Sequence, residues 1–472
     1  MNRRQFLHTL AVTGAGSFLY CNPFQSQKSA KPNIIYIMAD DLGYGDLSCY
    51  GQEKIKTPNI DRLAQQGIRF TDCYAGATVC APSRSVLMTG QHTGHTRVRG
   101  NFAREGGTLG YKNGQPRRRL NLFEEDTTVA DVLRSAGYRT CLVGKWHIGG
   151  YNPDAGPLDR GFDEFYGSLT LTSDQHKPAY WPPVWYHNRD MVEIPQNQDG
   201  QKGYYRTDMN TDLAIQFIEK QQDQPFFLYL AYSNPHSPYD APDLGPYADK
   251  EWPLEEKTYA AMIHTLDQCV GRVLRTLEDQ HLDENTIVFF CSDNGPRSEG
   301  TEVQTRVVEF FDSNGSLQGY KRDMTEGGIR VPMIVRWSDQ IPAGKTSTLP
   351  WYFADFLPTA AALAGAAPPE NIDGMDVTPW FENPAKDEPE RYLYWEFFGR
   401  GFQQALRWKQ WKAIRLAPDQ ALQLYNLSTD LGEENDIAGQ YPDIVQQIEN
   451  YLTAARTDSP HWPVESVNQP GE

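Results

Sequence analysis

Four apolar runs that each end in a cluster of polar residues constrain this chain more than any other feature. Ile34-Ile35-Tyr36-Ile37-Met38 runs into Asp40-Asp41, and Tyr138 to Val143 into Gly144-Lys145-Trp146-His147. Phe226 to Tyr232 runs into Asn234-Pro235-His236, and Ile287 to Cys291 into Asp293-Asn294-Gly295. Runs of this length without polar alternation suit strands buried on both faces, and the helix-like segments between them supply the cover. One such helix has Thr127 or Thr128 near its start and Gly137 just past its end. The pattern predicts an α/β fold whose sheet is sandwiched by helices. In open parallel sheets, ligands bind beyond the carboxyl ends of the strands, so the four tips are expected to converge on one crevice. A single tip of this kind is an ordinary cap or turn; four together are hard to explain that way.

Beyond about residue 375 the pattern changes. Tyr392-Leu393-Tyr394-Trp395, Gln404 to Leu416 and Leu422-Gln423-Leu424-Tyr425 read as antiparallel strands, with a helix from about Pro442 to Ala455. The expected organisation is an export signal at 1–30, a main catalytic domain at 31–375 and a C-terminal α+β subdomain at 376–472. Arg3-Arg4-Gln5-Phe6-Leu7 before a weakly apolar stretch reads as a twin-arginine signal, which predicts a periplasmic or extracellular protein. Cys21 is a candidate lipid anchor, but the bulky Tyr20 before it favours cleavage upstream of Lys31 instead. No later segment approaches the roughly 18 apolar residues of a membrane span. A formal charge of −17 repels nucleic acid and anionic membranes, so an anionic substrate has to meet a local basic pocket. The seven cysteines include no Cys-x-x-Cys pair and make no disulfide scaffold. Cys141 and Cys291 lie in strand-like runs, and pairing of Cys49 with Cys73 stays open.

The tips supply specific chemistry. Pro82 suits the first turn of a helix, which puts Cys80 at a helix N-terminus, where backbone N–H groups and the helix dipole favour an anion. Asp40, Asp41, Asp293 and Asn294 offer only oxygen ligands, which suits a hard cation, calcium first and magnesium second, and argues against zinc or copper. Three carboxylates crowded at strand ends would repel one another without such an ion. Arg84, Lys145, His147, His236 and Lys321 provide the positive charge that the chain as a whole lacks.

Cys80-Ala81-Pro82-Ser83-Arg84, continuing through Leu87-Met88-Thr89-Gly90, resembles the activation motif of the formylglycine-dependent sulfatases in the alkaline phosphatase superfamily. Gly137 to His147 is similar to that family's second signature. The Asp-Asp, Asn-Pro-His, Ser-Asp-Asn-Gly and Gly-Tyr-Lys-Arg segments stand in family order, from about Asn33 to Asn435. The resemblance implies a large mixed, mostly parallel sheet and a formylglycine made from Cys80 by a formylglycine-generating enzyme. It implies a metal held by Asp40, Asp41, Cys80, Asp293 and Asn294. It assigns Arg84 and His147 to the formylglycine, and Lys145, His236 and Lys321 to the sulfate. A hydrated aldehyde has one hydroxyl to attack sulfur and a second whose deprotonation expels sulfate, which a simple alcohol cannot do. Loop similarity to arylsulfatase A and N-acetylgalactosamine-6-sulfatase implies a sulfated sugar, galactose or N-acetylgalactosamine sulfate.

Rival readings remain. A plain cysteine hydrolase is the rival reading of Cys80, but the His and Asx partnering typical of such enzymes does not explain the nearby carboxylates. A phosphoester or phosphonate hydrolase of the same superfamily would show a second set of Asp and His metal ligands. A non-catalytic glycan-binding protein would be expected to lack Cys80 or the metal carboxylates. Arg97, Arg99 and Asn101 are candidates for binding substrate, with scaffold salt bridges the competing reading. Asp174, His176 and Trp181 form a candidate rim loop, with plain loop packing the competitor. The Arg117-Arg118-Arg119 run is expected to be a solvated surface.

Overall fold

A computed structural model describes residues 31–464 apart from 113, 151, 171–176, 222–223 and 299–300. The expected export segment and Cys21 lie outside the described residues. Strands β1 (Asn33–Asp40) and β2 (Ile68–Tyr74) open the large sheet, and β3 (Thr108–Lys112) and β4 (Gln115–Arg119) form a separate hairpin. The large sheet resumes with β5 (Arg139–Lys145), β6 (Glu164–Ser168), β7 (Val184–His187) and β8 (Asp190–Glu193). It is completed by β9 (Phe226–Pro235), β10 (Thr286–Ser292), β11 (Arg330–Trp337), β12 (Lys345–Ser347) and β13 (Trp351–Tyr352). Its order is β12-β2-β11-β10-β1-β9-β5-β6-β7-β8, with β13 beside β2. The centre, β10-β1-β9-β5-β6, is parallel, while β11 and β7 flank it antiparallel.

The helices are α1 (Pro58–Gln65), α2 (Cys80–Thr89), α3 (Val129–Ser135), α4 (Arg206–Lys220), α5 (Leu254–Asp279), α6 (Glu302–Phe311), α7 (Glu326–Ile329) and α8 (Phe356–Ala364), with shorter ones elsewhere. β1 is buried along its whole length because both faces are covered. Ile34, Tyr36 and Met38 pack with Leu87 of α2, Leu133 of α3 and Leu357 of α8. Ile35, Ile37 and Ala39 pack on the other side with Leu63 of α1, Phe217 of α4 and Leu266 of α5. Thr128 caps α3 by accepting from Asp131 N, and Asp131 answers it in a capping box. None of the described helices is long and apolar enough to cross a membrane.

A four-stranded antiparallel sheet follows, of β14 (Tyr392–Phe397), β15 (Gln403–Trp408), β16 (Trp411–Arg415) and β17 (Gln423–Asn426). The run from Gln404 to Leu416 is two strands, because Lys409 turns the chain at φ 50°. The helix Pro442–Ala454 covers this sheet with Ile448 and Leu452. A buried ionic knot ties it to the large sheet: Lys412 Nζ lies 3.0 Å from Glu326 Oε1 and 3.1 Å from Glu433 Oε1. Glu326 also accepts from Tyr74 Oη at 2.7 Å and Arg330 Nη1 at 3.2 Å. Cys49 and Cys73 are both free thiols, so the pairing left open by the sequence does not occur.

Candidate active site

The carboxyl ends of β1, β5, β9 and β10 meet at the first turn of α2, and the chain leaves two of those ends through strained residues. Asp41 and His147 hold φ values of 62° and 59°, which non-glycine residues adopt only where their surroundings enforce them. Asp41 N donates to Asp293 Oδ1 at 3.2 Å, and His147 N to Leu169 O at 3.0 Å.

Cys80 is the first residue of α2 and is buried. Its Sγ lies 3.6 Å from Asp40 Oδ1 and 3.2 Å from Lys321 Nζ. Lys145 Nζ donates to Asp40 Oδ2 at 2.6 Å, and Lys321 Nζ to Asp41 Oδ1 at 2.5 Å. Arg84, one turn further along α2, donates Nε and Nη2 to Asp293 Oδ2 at 3.0 and 2.8 Å. Its Nη1 reaches the Lys145 carbonyl at 2.9 Å. The three carboxylates therefore face three cations, all buried.

Burial pushes Asp41 up, but Lys321, His236 and Lys145 outweigh it and hold the carboxyl well below its usual range. Asp293 moves the other way, raised by burial and then by Asp40 against the pull of Arg84. Burial pushes the Cys80 sulfur up to about 11 despite Lys145 and Lys321, so at neutral pH it is a thiol and a poor nucleophile. That weighs against a cysteine hydrolase. His147 and His236 are both lowered, first by burial; Lys145 adds to this for His147, whereas Asp41 opposes it for His236.

Whether these residues suit a metal can be read from their oxygens. Asp41 Oδ2 and Asn294 Oδ1 are buried acceptors that receive no hydrogen bond. The Asn294 amide is oriented by Nδ2, which donates to Asp41 Oδ1 at 2.8 Å and Gly295 O at 2.9 Å. One ligand atom each from Asp40, Asp41, Cys80 and His236 also falls within 4.8 Å of the others. The oxygens of Asp40, Asp41, Asp293 and Asn294, two of them unsatisfied acceptors, fit a hard cation.

Cys80 forms the floor of a cavity of about 700 Å³. Lys321, His147 and His236 line it, together with Asn101, Phe102, Arg119, Tyr180, Arg297, Gln304 and Arg322. Asn101 Oδ1 accepts from Ala81 N at 3.1 Å, which fixes the start of α2. Arg97 and Arg99 are not brought there. Arg97 pairs with Asp126 and, at 2.7 Å, with Glu125; Arg99 is buried against Glu396 at 2.9 Å. Trp181 donates to Asp240 Oδ2 at 3.1 Å and packs on Tyr205, while the preceding residues, Lys177 to Tyr180, line the cavity. Asp174 and His176 lie outside the described residues. The arginine run is corrected at its last member: Arg119 is 2% exposed, and its Nη1 stands 2.7 Å from His147 Nε2. A guanidinium can only donate, so Nε2 is the accepting nitrogen of that imidazole. Sequence reasoning passed over Arg297 and Gln304, which carry no motif; Tyr180 adjoins Trp181 in the expected aromatic rim loop, and Arg322 sits in the Gly-Tyr-Lys-Arg segment.

Comparison with known proteins shows what the chain as a whole is similar to. The sequence profile of the family described as Sulfatase matches residues 32–366. A second profile, the C-terminal region of N-sulphoglucosamine sulphohydrolase, matches 318–458. Arylsulfatase G of Mus musculus is 33% identical over 386 residues, 74% of this chain and 69% of the relative. N-acetylgalactosamine-6-O-sulfatase of Bacteroides thetaiotaomicron is 30% identical over 502 residues, 91% of this chain and 94% of the relative. The crystal structure of Ps i-CgsB in complex with k-i-k-neocarrahexaose superposes with a TM-score of 0.76 at 32% identity, covering 93% of this chain and 96% of the other.

Proposed function

Because this chain belongs to the sulfatase family, and so is a sulfuric ester hydrolase, we propose that it desulfates a sugar of the galactose or N-acetylgalactosamine type. The reading includes a formylglycine made from Cys80 by a formylglycine-generating enzyme, a divalent cation, calcium before magnesium, and export from the cytoplasm. The observation that carries it is a buried Cys80 at the start of α2, 3.2 Å from Lys321 Nζ and 3.6 Å from Asp40 Oδ1. The sugar class is supported by the N-acetylgalactosamine-6-O-sulfatase relative and by the neocarrahexaose complex of the structural neighbour.

Formylglycine would supply a hydrated aldehyde, with one hydroxyl to attack sulfur and one to expel sulfate. A cation on Asp40, Asp41, Asp293 and Asn294 would supply the Lewis acidity that lowers the nucleophile's pKa. The chain's own groups do the rest. Arg84 fixes Asp293 and the Lys145 carbonyl, so the carboxylate is oriented before substrate arrives. Lys321, on the cavity wall, and Lys145, bonded to Asp40 beneath it, would supply positive charge to the sulfate oxygens. His236 Nδ1 bonds the Ser237 carbonyl, which holds a proton on that nitrogen and leaves Nε2, 3.5 Å from Asp41 Oδ2, to exchange one. As the imidazolium, which the Asp41 carboxylate favours against burial, it would protonate the leaving alkoxide through Nε2. Arg119 Nη1 donates to His147 Nε2 at 2.7 Å, so His147 would act as base toward the second hydroxyl only once that contact is released.

Peptide mass spectrometry of the Cys80 segment, after expression beside a formylglycine-generating system, should show the loss that converts thiol to aldehyde. The same preparation should hydrolyse galactose or N-acetylgalactosamine sulfates. Free thiol throughout a fully active sample would sink the mechanism. A preference for phosphate or phosphonate esters would move the chain to the other hydrolases of the superfamily.

A further inference from the structure

The hairpin β3–β4 stands beside the cavity and carries arginines at alternate positions of one strand. Successive strand side chains point to opposite faces, so Arg117 and Arg119 share a face and Arg118 takes the other. The contacts agree. The guanidinium carbons of Arg119 and Arg117 lie 4.6 and 5.8 Å from the centroid of the Phe102 ring, whereas Arg118 Nη1 turns away to Gly107 O at 2.9 Å. Phe102 and Arg119 line the cavity above Cys80; Arg117 is exposed, one pleat further out, and Gly110 stands opposite it in the hairpin register. A glycine there leaves Arg117 without a neighbouring side chain across the strand pair. Two cations about 7 Å apart along the strand thus lead from the cavity wall to solvent, bridged by one aromatic face. On a chain of net charge −17, such a track is a local exception.

We propose that this hairpin is an anion-reading arm, in which Arg117 binds a second anionic group, sulfate or carboxylate, on the glycan whose scissile sulfate enters the cavity. The preferred substrate is then a multiply charged oligosaccharide rather than a singly sulfated sugar. This rests on the proposed desulfation only for what occupies the cavity.

The test uses three oligosaccharides that share one scissile sulfate: one with no other charge, one with a second sulfate and one with a carboxylate. The ratio of kcat/KM for a doubly charged substrate to that for the singly charged one should fall about 1.5- to fivefold in Arg117→Ser, the range for an exposed charge pair. Arg117→Lys should restore part of it. In the unaltered enzyme the ratio should shrink as salt rises from about 50 to about 500 mM, because exposed charges are screened. The sulfate and carboxylate arms show which anion is read. A ratio unchanged in Arg117→Ser, or equal losses on all three substrates, overturns the proposal. Calorimetric binding of the same oligosaccharides to Cys80→Ser and to Cys80→Ser/Arg117→Ser repeats the comparison without turnover. A failure of the formylglycine reading therefore shows up separately, as absent hydrolysis with the binding ratio intact.

Discussion

Lys412 is the point at which one substitution should test the join between the two sheets. Its ammonium is wholly buried between Glu326 and Glu433, which are buried as well. Lys412→Met keeps the length and apolar bulk of the side chain and removes only the charge. Glu326 retains Arg330 at 3.2 Å and Tyr74 at 2.7 Å, so the stranded carboxylate is Glu433, left with the backbone N–H of Glu326 at 2.6 Å. Breaking a buried pair from one side costs about 3–5 kcal/mol. At about 2.1 cal/mol/K of unfolding entropy per residue, 472 residues give about 1 kcal/mol/K, so the melting temperature should fall by about 3–5 °C. Circular dichroism melts would measure this. The fall should be larger at pH 8 than at pH 6, because burial and Glu326 already push Glu433 up, and at lower pH it can take a proton instead of standing charged. Adding Glu433→Gln should return more than half of the loss. A Lys412→Met melt within about 1 °C of the unaltered protein, or strictly additive losses in the double variant, would refute the reasoning.

The other expectations concern chemistry and pH. Chelating divalent ions should abolish turnover, with calcium restoring it better than magnesium; full activity in metal-free protein would overturn the ligand set of Asp40, Asp41, Asp293 and Asn294. His236→Ala should slow esters of weakly acidic alcohols such as sugars by about 10²–10⁴-fold and phenyl esters far less. Equal losses in a folded, formylglycine-bearing variant would transfer the proton-donor role to Lys321. Asp267 accepts from Asn59 N and Ile60 N, both at 2.9 Å, at the start of α1, and burial pushes it up to about 6. A carboxyl that binds its proton more tightly when folded contributes stability that fades as pH rises from about 4 to 6. Asp267→Asn should remove that part of the slope in melts taken across this window, and an unchanged slope would count against the raised value.

The catalytic floor was legible because it obeys a local rule. A doubly covered parallel strand is a continuous apolar run, and the residues just past its end must sit at the carboxyl edge of the sheet, so Asp40, Lys145, His236 and Asp293 could be placed together from four separate segments. The cavity walls obey no such rule. Arg97 and Arg99 look alike in sequence, yet what they do is decided by Asp126 and by Glu396, which come from other parts of the chain. Arg119 was hidden for a different reason: its burial depends on the register of a hairpin, and a run of three arginines gives no sign of which one turns inward. Gln404 to Leu416 read as a single run because the turning residue is Lys409, which is neither glycine nor asparagine.

The burial of α2 also sets an order of events. Cys80 is 1% exposed, and Pro82 and Arg84 of the same motif are enclosed with it. An enzyme that recognises this segment by those side chains cannot reach them once α2 has docked on β1 and β10. On the proposed conversion of Cys80, the chain would have to be read while it is still open, during or soon after synthesis, and molecules that closed too early would keep their thiol. The yield of converted protein would then be a race between a catalyst and a folding rate. Slowing the collapse around α2, or supplying more of the catalyst, raises the fraction oxidised without altering a single residue of the finished site.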